Sequence, residues 1–364
     1  MFFINVFLLQ KVIFSWFYKN TYIWIVIHKG SKKIKMENIE FKFIESNGIK
    51  IRLALAGEGP LVIFCHGWPE SWYSYRHQIP EVAAAGYRAV AYDVRGYGES
   101  DKPFEIEAYT MKNMTQDVIG IIDALGYETA ITIGHDWGGP IALNSAALNP
   151  DRITATGTLS VPFMGRGPMP TLDLWKEIYK DRFFYQLYFQ KEGIAEQEFE
   201  SDLSRSLFIT YTNSDGRGMK HNFERGKIGL VPDKDKNSTF LEGMEVFEDF
   251  PDWFTQKDLD YFVSQFEISG LRGPFNRYRA QNIDWHETPE LSDAILQQPA
   301  FFVTGTLDPV NFFVPSDQSL IDRISPNYKN LLFAEELEGI GHWTQQEAPN
   351  EVNSFILEFL KQVS

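Results

Sequence analysis

A carboxylate, Asp136, lies between a short apolar run and a run whose composition is typical of a helix. Residues 130–133 read AITI, residues 134–139 read GHDWGG, and IALNSAAL follows Pro140. Glycines at such a junction allow a strand to turn sharply into a helix whose backbone crowds it. A carboxylate is already ionised at neutral pH, so it can attack a saturated carbon without a general base. We therefore expect Asp136 to form an alkyl ester as an epoxide oxygen or a halide leaves.

Two later residues complete a catalytic set in the order nucleophile, acid, histidine. Asp308 follows the apolar run FFVTGTL, and His342 lies in GIGHW (339–343), after the last predicted strand. This chain order is the one expected when a nucleophile at a strand-to-helix turn works with groups at later strand ends. His342, oriented by Asp308, is predicted to activate a water molecule that attacks the carbonyl group of the ester. The histidine thus serves hydrolysis of the ester, and not activation of Asp136.

Hydrolysis of the ester passes through an oxyanion, which requires N–H donors that are already in position. One predicted donor is the backbone N–H of Trp137, directly after Asp136 and at the start of a helix. The other is the backbone N–H of Trp68, in the loop HGWPES (66–71). Pro69 has no N–H, so it can hold this loop but cannot donate.

The elements around these residues predict an α/β fold with a mainly parallel, doubly wound sheet. Asn47-Gly48 joins two alternating runs as a hairpin, and apolar runs that suit buried strands then alternate with helical segments. Residues 61–67 (LVIFCHG) are one such run, and residues 331–339 (LLFAEELEG) are predicted as another. Loops at the carboxyl ends of parallel strands carry ligand sites, and HGWPES, RGYGES (95–100) and GHDWGG occupy that position.

Composition divides the chain into three parts. Residues 163–296 are rich in aromatic and charged residues with helical periodicity, which predicts an inserted helical cap over the loops. Residues 36–162 and 297–364 are predicted to form the α/β core. Residues 1–35 contain six lysines and no acidic residue, and this difference marks them as an N-terminal extension.

Three interpretations of the extension remain open. Residues 1–28 are apolar and aromatic, but Lys11 and Lys19 interrupt them before about 18 uncharged residues accumulate. The extension could be a signal anchor, or a segment that contacts a membrane surface through residues 1–28. It could also be absent from the mature protein, because Met36 opens a regular strand pattern, and we favour this interpretation. The protein is then expected in the cytoplasm, with membrane anchoring as the alternative.

The composition also limits partners and cofactors. A net charge of −15 argues against a nucleic-acid partner, because binding phosphates requires a basic surface. The only cysteine, Cys65, excludes an internal disulfide and is expected to be buried and inert in an apolar strand. The chemistry expected at Asp136 needs no metal ion and no organic cofactor. The sequence contains no signal for a particular oligomeric state.

Four motifs together resemble the soluble epoxide hydrolases of the α/β-hydrolase superfamily. They are HGWPES, DVRGYGESDKP, GHDWGG and GIGHWTQQEAP, and the similarity extends across residues 37–364. The resemblance implies an α/β-hydrolase fold and conversion of an epoxide and water to a vicinal diol. It also implies two cap tyrosines that bind the epoxide oxygen and protonate it as the ring opens. FFYQLYFQKEGIAEQEFE assigns the first role to Tyr185, and GLRGPFNRYRA assigns the second to Tyr278.

The aromatic cap indicates an apolar epoxide as substrate, either lipid-derived or xenobiotic. Trp137, Tyr188 and Trp343 are predicted to contact this substrate. Tyr188 follows Tyr185 by one helical turn and competes with it for the role of proton donor, but a place in the pocket wall is the better interpretation.

A haloalkane dehalogenase is the main alternative, because such enzymes also use an aspartate nucleophile. Trp137 could then bind the departing halide through its indole N–H. In that family a glutamine typically precedes the nucleophile, whereas His135 does so here, and the tyrosine pair would not be required. A non-catalytic protein on the same scaffold is disfavoured, because no member of the predicted triad is missing.

Overall fold

The computed structural model describes residues 38–226, 234–314 and 316–364, so the predicted extension at residues 1–35 lies outside the described residues. The strands of the described part are, in chain order, β1 Glu40–Ser46, β2 Ile49–Ala56, β3 Leu61–Cys65, β4 Arg88–Tyr92, β5 Ala130–His135, β6 Ile153–Leu159, β7 Leu296–Gly305 and β8 Tyr328–Leu337.

The α-helices of the same residues are α1 Gln78–Ala84, α2 Met111–Ala124, α3 Gly138–Leu148, α4 Thr171–Ile178, α5 Tyr185–Tyr188, α6 Ile194–Glu200, α7 Leu203–Ser214, α8 Gly216–Glu224, α9 Gln256–Ser269, α10 Arg272–Arg279, α11 Gln281–Glu287, α12 Leu320–Ile324, α13 Thr344–Glu347 and α14 Pro349–Val363. Short 3-10 helices cover Trp72–Tyr75, Ile106–Tyr109, Pro289–Leu291, Pro309–Phe312 and Ser325–Asn327.

The strands form one sheet in the order β1-β2-β4-β3-β5-β6-β7-β8. β1 and β2 are an antiparallel hairpin, β2 also pairs antiparallel with β4, and all the other pairs are parallel. Asn47 and Gly48 both have positive φ at the hairpin turn, at 48° and 75°, which is why this pair of residues favours a tight hairpin. The predicted α/β fold with a mainly parallel sheet is therefore confirmed.

Burial along the strands follows their positions in the sheet. β3 and β5 lie in the interior of the sheet, and every residue of both strands is buried. β8 is an edge strand that pairs only with β7, and Tyr328 is its one buried residue. A strand was correctly expected at residues 331–339, but the prediction that it is buried was wrong. An apolar run does not reveal whether a strand lies at the edge of the sheet or in its interior.

Local signals define where several helices begin. Thr110 caps α2 by accepting a hydrogen bond from the backbone N–H of Asn113, and Asp202 caps α7 in the same way. Thr255 and Asp258 form a reciprocal capping box at the start of α9. Pro349 is the first residue of α14, where its missing N–H costs no helical hydrogen bond.

The interval between β6 and β7 is helical. Its described residues contain α4 to α11 and contribute no strand to the eight-stranded sheet. This interval coincides with the segment predicted as a cap at residues 163–296, although the division into core and cap remains a prediction. Within the described residues no helix combines the length and apolarity needed to cross a membrane. Cys65 is buried as expected, and burial raises the pKa of its thiol to about 12.

The junction between β5 and α3 leaves no room for side chains. A Cβ atom on Gly134 would lie 1.9 Å from the carbonyl oxygen of Gly138, and one on Gly138 would lie 1.8 Å from the carbonyl oxygen of Cys65. A neighbouring carbonyl group can approach a residue this closely only where that residue lacks a side chain. These two glycines therefore set the position of Asp136 between strand and helix.

We predict that Gly134→Ala destabilises the protein by about 1 to 3 kcal/mol, because strand β5 and helix α3 must separate to admit the methyl group. Thermal unfolding followed by circular dichroism would measure the loss. Gly167→Ala is the matched control, since its Cβ would meet no atom closer than 3.7 Å. Equal melting temperatures for Gly134→Ala and the control would contradict this account of the junction.

Candidate active site

Asp136 occupies the tip of the turn between β5 and α3. Its φ is 49°, a left-handed conformation that is uncommon for residues other than glycine and more accessible to aspartate than to most. Strain at such a position is typical of functional sites, where the surrounding structure fixes the residue. The side chain is directed away from both elements and lines two neighbouring cavities.

The loops that follow β7 and β8 bring the other two predicted triad residues to Asp136. Nε2 of His342 lies 3.4 Å from Oδ2 of Asp136, and Nδ1 lies 3.1 Å from Oδ1 of Asp308. Asp308 is fully buried and is fixed by further hydrogen bonds from the backbone N–H of Val310 and the hydroxyl group of Thr304. The structure therefore brings the three predicted residues together, with His342 in contact with both Asp136 and Asp308.

The two carboxylates decide the protonation state of His342. Burial alone would lower the pKa of this imidazole, but the charges of Asp308 and Asp136 and their hydrogen bonds outweigh it and raise the pKa well above its usual value. Burial also opposes ionisation of Asp308, and the charge of His342 overcomes it and lowers the pKa of that carboxyl. The two neighbouring carboxyl groups therefore favour the protonated form of the imidazole.

The loop after β3 approaches the same carboxylate from the other side. The backbone N–H of Trp68 donates to Oδ1 of Asp136 at 2.7 Å, so one predicted oxyanion donor already touches the nucleophile. A Cβ atom on Gly67 would lie 2.4 Å from the Asp136 side chain, which explains why glycine precedes Trp68. Trp137, the other predicted donor, is the residue immediately before α3 and lines the larger cavity.

A buried hydrogen-bonded pair, Glu70 and His135, lies behind the triad. Oε2 of Glu70 accepts hydrogen bonds from the backbone N–H of Gly67 at 2.9 Å and from Nδ1 of His135 at 2.8 Å. The other ring nitrogen of His135 donates to the carbonyl oxygen of His342 at 2.7 Å. The ring of His135 therefore bridges the carboxylate of Glu70 and the backbone of the histidine loop. Oε1 of Glu70 accepts from the side chains of Gln345 and Gln346.

Tyr185 and Tyr278 come from α5 and α10 and meet above Asp136. Their ring centroids are 5.7 Å apart, and the ring of Tyr278 also packs edge-on against Trp68 and Trp137. The side-chain amide of Gln186 donates to the hydroxyl oxygen of Tyr185 at 3.0 Å. Burial, together with the charge of Asp136, raises the pKa of both phenols, so both hydroxyl groups keep their protons at neutral pH.

Two cavities meet at the nucleophile. The larger, of about 380 Å³, is lined mainly by apolar and aromatic side chains of the loop after β6, α4, α11 and the loop after β7, and it reaches Asp136, Trp137 and Tyr185. The smaller, of about 30 Å³, is lined by Trp68, Asp136, Tyr185, Thr210, Ser214, Phe240, Tyr278, Pro309, Val310, Phe313, His342 and Trp343. A cavity of that size holds about one water molecule next to the imidazole.

Two further residues, Trp343 and Tyr188, were predicted to contact the substrate, and only Trp343 lines a cavity. Trp343 lines the smaller cavity, but its indole N–H donates to the carbonyl oxygen of Tyr211 at 2.8 Å. Tyr188 lines neither cavity, because its hydroxyl group is directed to Oε2 of Glu198 at 2.8 Å. The structure therefore does not support a substrate contact by Tyr188. Within the described residues, no cluster of three or more histidine, cysteine or carboxylate side chains could hold a metal ion.

Ser160 is a site residue that the sequence analysis missed. Its Oγ lies 3.1 Å from Nδ1 of His342, and its φ is 75° at the end of β6. A signal was present, because TGTL directly precedes both Ser160 and Asp308, which follow the neighbouring strands β6 and β7. Both residues reach the same ring nitrogen from adjacent strand ends.

A model of the α/β hydrolase fold family matches residues 60–349, and the chain belongs to that family. Epoxide hydrolase A of Mycobacterium tuberculosis is 36% identical over 331 residues, which cover 88% of this chain and 96% of the relative. Epoxide hydrolase 2 of Siraitia grosvenorii is 36% identical and covers 90% of this chain and 99% of its own. A solved epoxide hydrolase from an endophytic Streptomyces has a TM-score of 0.82 and 41% identity, with 89% of this chain and 96% of that chain covered. Within the α/β hydrolases, the chain is an epoxide hydrolase.

We predict that Glu70→Gln destabilises the protein by about 3 kcal/mol at pH 7, because a buried carboxylate that accepts four hydrogen bonds is replaced by an amide with one acceptor oxygen. Burial opposes ionisation of Glu70, but His135 and the N–H of Gly67 lower its pKa from 4.5 to about 2. A lowered folded pKa contributes stability above pH 4.5 that is lost as the pH falls towards 2. Urea denaturation across this range should therefore show the wild-type advantage shrinking below pH 4.5.

The exposed Glu58 supplies the control for this experiment, because Glu58→Gln removes a carboxylate on the surface. Its stability is expected to match the wild type within about 0.5 kcal/mol at each pH. A wild-type advantage over Glu70→Gln that stays constant down to pH 2 would contradict the stabilising role of the ionised Glu70 carboxylate.

Proposed function

We propose that the protein converts an apolar epoxide and water to a vicinal diol through an ester of Asp136. The observation that carries this proposal is the meeting of Asp136, His342, Tyr185 and Tyr278 around one cavity of about 30 Å³. A nucleophile, a base and two proton donors are thus within reach of one small reacting group. The larger cavity, lined mainly by apolar side chains, suits the rest of an apolar substrate.

In the first step, a carboxylate oxygen of Asp136 attacks one ring carbon of the epoxide. The new carbon–oxygen bond forms as the bond from that carbon to the epoxide oxygen breaks. Oδ1 is engaged by the N–H of Trp68, which leaves Oδ2 as the attacking oxygen. An alkoxide is a poor leaving group, so Tyr185 or Tyr278 donates a proton to the epoxide oxygen as the ring opens. This step needs no base.

Formation of the ester then prepares His342 for the second step. The charge of Asp136 is one of the causes that raise the pKa of His342, and it disappears when the carboxylate becomes an ester. The pKa of the imidazole therefore falls, and the imidazolium becomes a base as its proton returns to the tyrosinate left by ring opening. The charge of Asp308 keeps the ring oriented through Nδ1.

In the second step, neutral His342 takes a proton from water, and the hydroxide attacks the carbonyl carbon of the ester. The oxyanion that forms is stabilised by hydrogen bonds from the backbone N–H groups of Trp68 and Trp137. Collapse of this intermediate expels the alkoxide, which takes the proton of the added hydroxyl group, so that the diol leaves and Asp136 is again a carboxylate. We assign the two proton donors to the predicted cap at residues 163–296, and the triad to the core.

The haloalkane dehalogenase that the sequence left as an alternative has less support. The named relatives are epoxide hydrolases, and two neutral phenols next to the nucleophile suit departure of a basic oxygen. A halide leaves without a proton and would not need them.

Single turnover in oxygen-18 water, with enzyme in excess, tests the ester mechanism. We expect the label in the carboxylate of Asp136, measured by mass spectrometry of the peptide that contains it. The first diol released should carry only unlabelled oxygen, because its new oxygen comes from Asp136. Direct labelling of that first diol would mean that water attacks the epoxide, and the ester mechanism would be rejected.

Tyr185→Phe and Tyr278→Phe test the proton donors. Each replacement is expected to lower the rate of ester formation roughly tenfold, since the other phenol remains, and the double variant about 10²-fold or more. Rapid-quench measurement of the covalent intermediate would give this rate. Tyr188→Phe is the matched control, because the Tyr188 hydroxyl is bound to Glu198 outside both cavities. Unchanged ring opening in the double variant would show that the acid lies elsewhere.

A further inference from the structure

The carboxyl group of Glu347, at the end of α13, accepts hydrogen bonds from three backbone N–H groups. Oε2 accepts from Gly341 at 3.0 Å and from Gly216 at 2.9 Å, and Oε1 accepts from Trp343 at 2.9 Å. Gly341 and Trp343 are the residues on either side of His342. One carboxyl group therefore fixes the backbone immediately before and after the catalytic histidine.

The same carboxyl group joins the histidine loop to the helices between β6 and β7. Gly216 is the first residue of α8, and the preceding Ser214 accepts a hydrogen bond from the backbone N–H of His342 at 2.9 Å. The two segments are in direct backbone contact. A Cβ atom on Gly216 would lie 2.1 Å from the carbonyl oxygen of Gly339, and one on Gly341 would lie 2.4 Å from the backbone nitrogen of Gly216.

Glu347 is held by N–H donors in surroundings that disfavour its charge. A second carboxyl group, that of Asp215, lies close to Glu347. It accepts hydrogen bonds from the backbone N–H of Gly218 and the indole N–H of Trp253. Burial and Asp215 together raise the pKa of Glu347 to about 8, while the three N–H groups act in the opposite direction. A carboxyl group in surroundings that disfavour its charge is typical of a functional site, and here the group accepts the three hydrogen bonds around His342.

We propose that Glu347 is a positioning residue for the hydrolysis step: it sets the place of His342 and ties the histidine loop to the junction of α7 and α8. This inference rests on the two-step mechanism proposed above. Ester formation requires Asp136 and the tyrosines but no base, whereas ester hydrolysis requires the imidazole at a defined distance from the water and the ester. Loss of the Glu347 contacts therefore acts on the second step alone.

The test is a transient-kinetic comparison of wild type and Glu347→Gln at pH 9, above the pKa of Glu347. The side-chain amide keeps the size of the residue but offers one acceptor oxygen in place of two. We expect ester formation to stay within about twofold of wild type. Ester hydrolysis should slow about tenfold to hundredfold, because displacement of a catalytic group by less than an ångström has effects of that size. The ester should then accumulate and be detected as a mass increase of the intact protein.

Two further measurements separate positioning from general damage. Hydroxylamine, which attacks an ester without a base, should restore cleavage in Glu347→Gln, and Glu347→Asp should lie between the variant and wild type. Glu351→Gln, an exposed site on α14, is the control and should match wild type in both steps. If the glutamine variant does not fold, the aspartate variant gives the same comparison of the two rates.

Three outcomes would count against the proposal. Equal slowing of both steps would mean that Glu347 acts on the structure as a whole, and unchanged hydrolysis would mean that its contacts are not needed. Failure of hydroxylamine to restore cleavage of the ester would mean that the defect does not lie in the activation of water by His342. These outcomes differ from failure of the proposed function, in which the wild type itself would form no labelled ester in oxygen-18 water.

Discussion

The imidazole of His342 lies between two carboxylates in a site that is almost closed to water, and the other features of the site depend on this arrangement. Each of these charges would be costly to bury alone, and together they form a series that alternates in sign. The series can form only if the strand ends of β5 and β7 and the loop after β8 are in register. A mainly parallel sheet brings those ends to one edge, which is why the fold and the chemistry cannot be separated here.

A second buried contact supports this series from behind. Glu70 accepts hydrogen bonds from His135 and from the backbone N–H of Gly67 in its own loop, and His135 donates to the carbonyl oxygen of His342. The loop after β3, the end of β5 and the loop after β8 are thereby linked, and hydrogen bonds to a carboxylate hold their partners more firmly than neutral ones. In the proposed mechanism Glu70 and His135 do not react. Their hydrogen bonds stay in place while the charge of Asp136 is removed and restored in every cycle.

The sequence predicted the parts that local chemistry determines. The Asn47-Gly48 hairpin, the turn at Asp136 and the strand ends before Asp308 and His342 are all encoded in short stretches. Ser160 was not recognised as a site residue because its partner His342 lies 182 residues away. Glu347 was not recognised because Gly216 lies 131 residues away, and because its nearby partners are backbone N–H groups, which no residue type reveals. The same limit applies to the burial of β8 and to the direction of the Tyr188 hydroxyl group. The exposure of a strand and the direction of a hydroxyl group are decided by neighbours that no local pattern contains.

The hydrogen bond from Trp68 to Asp136 makes the two oxygens of one carboxylate unequal. In the proposed mechanism Oδ2 leaves with each molecule of diol, and an oxygen atom from water takes its place. Oδ1, held by the backbone, stays with the protein. The enzyme would thus renew one atom of its own covalent structure in every cycle, while the atom beside it remains the one incorporated when the chain was made.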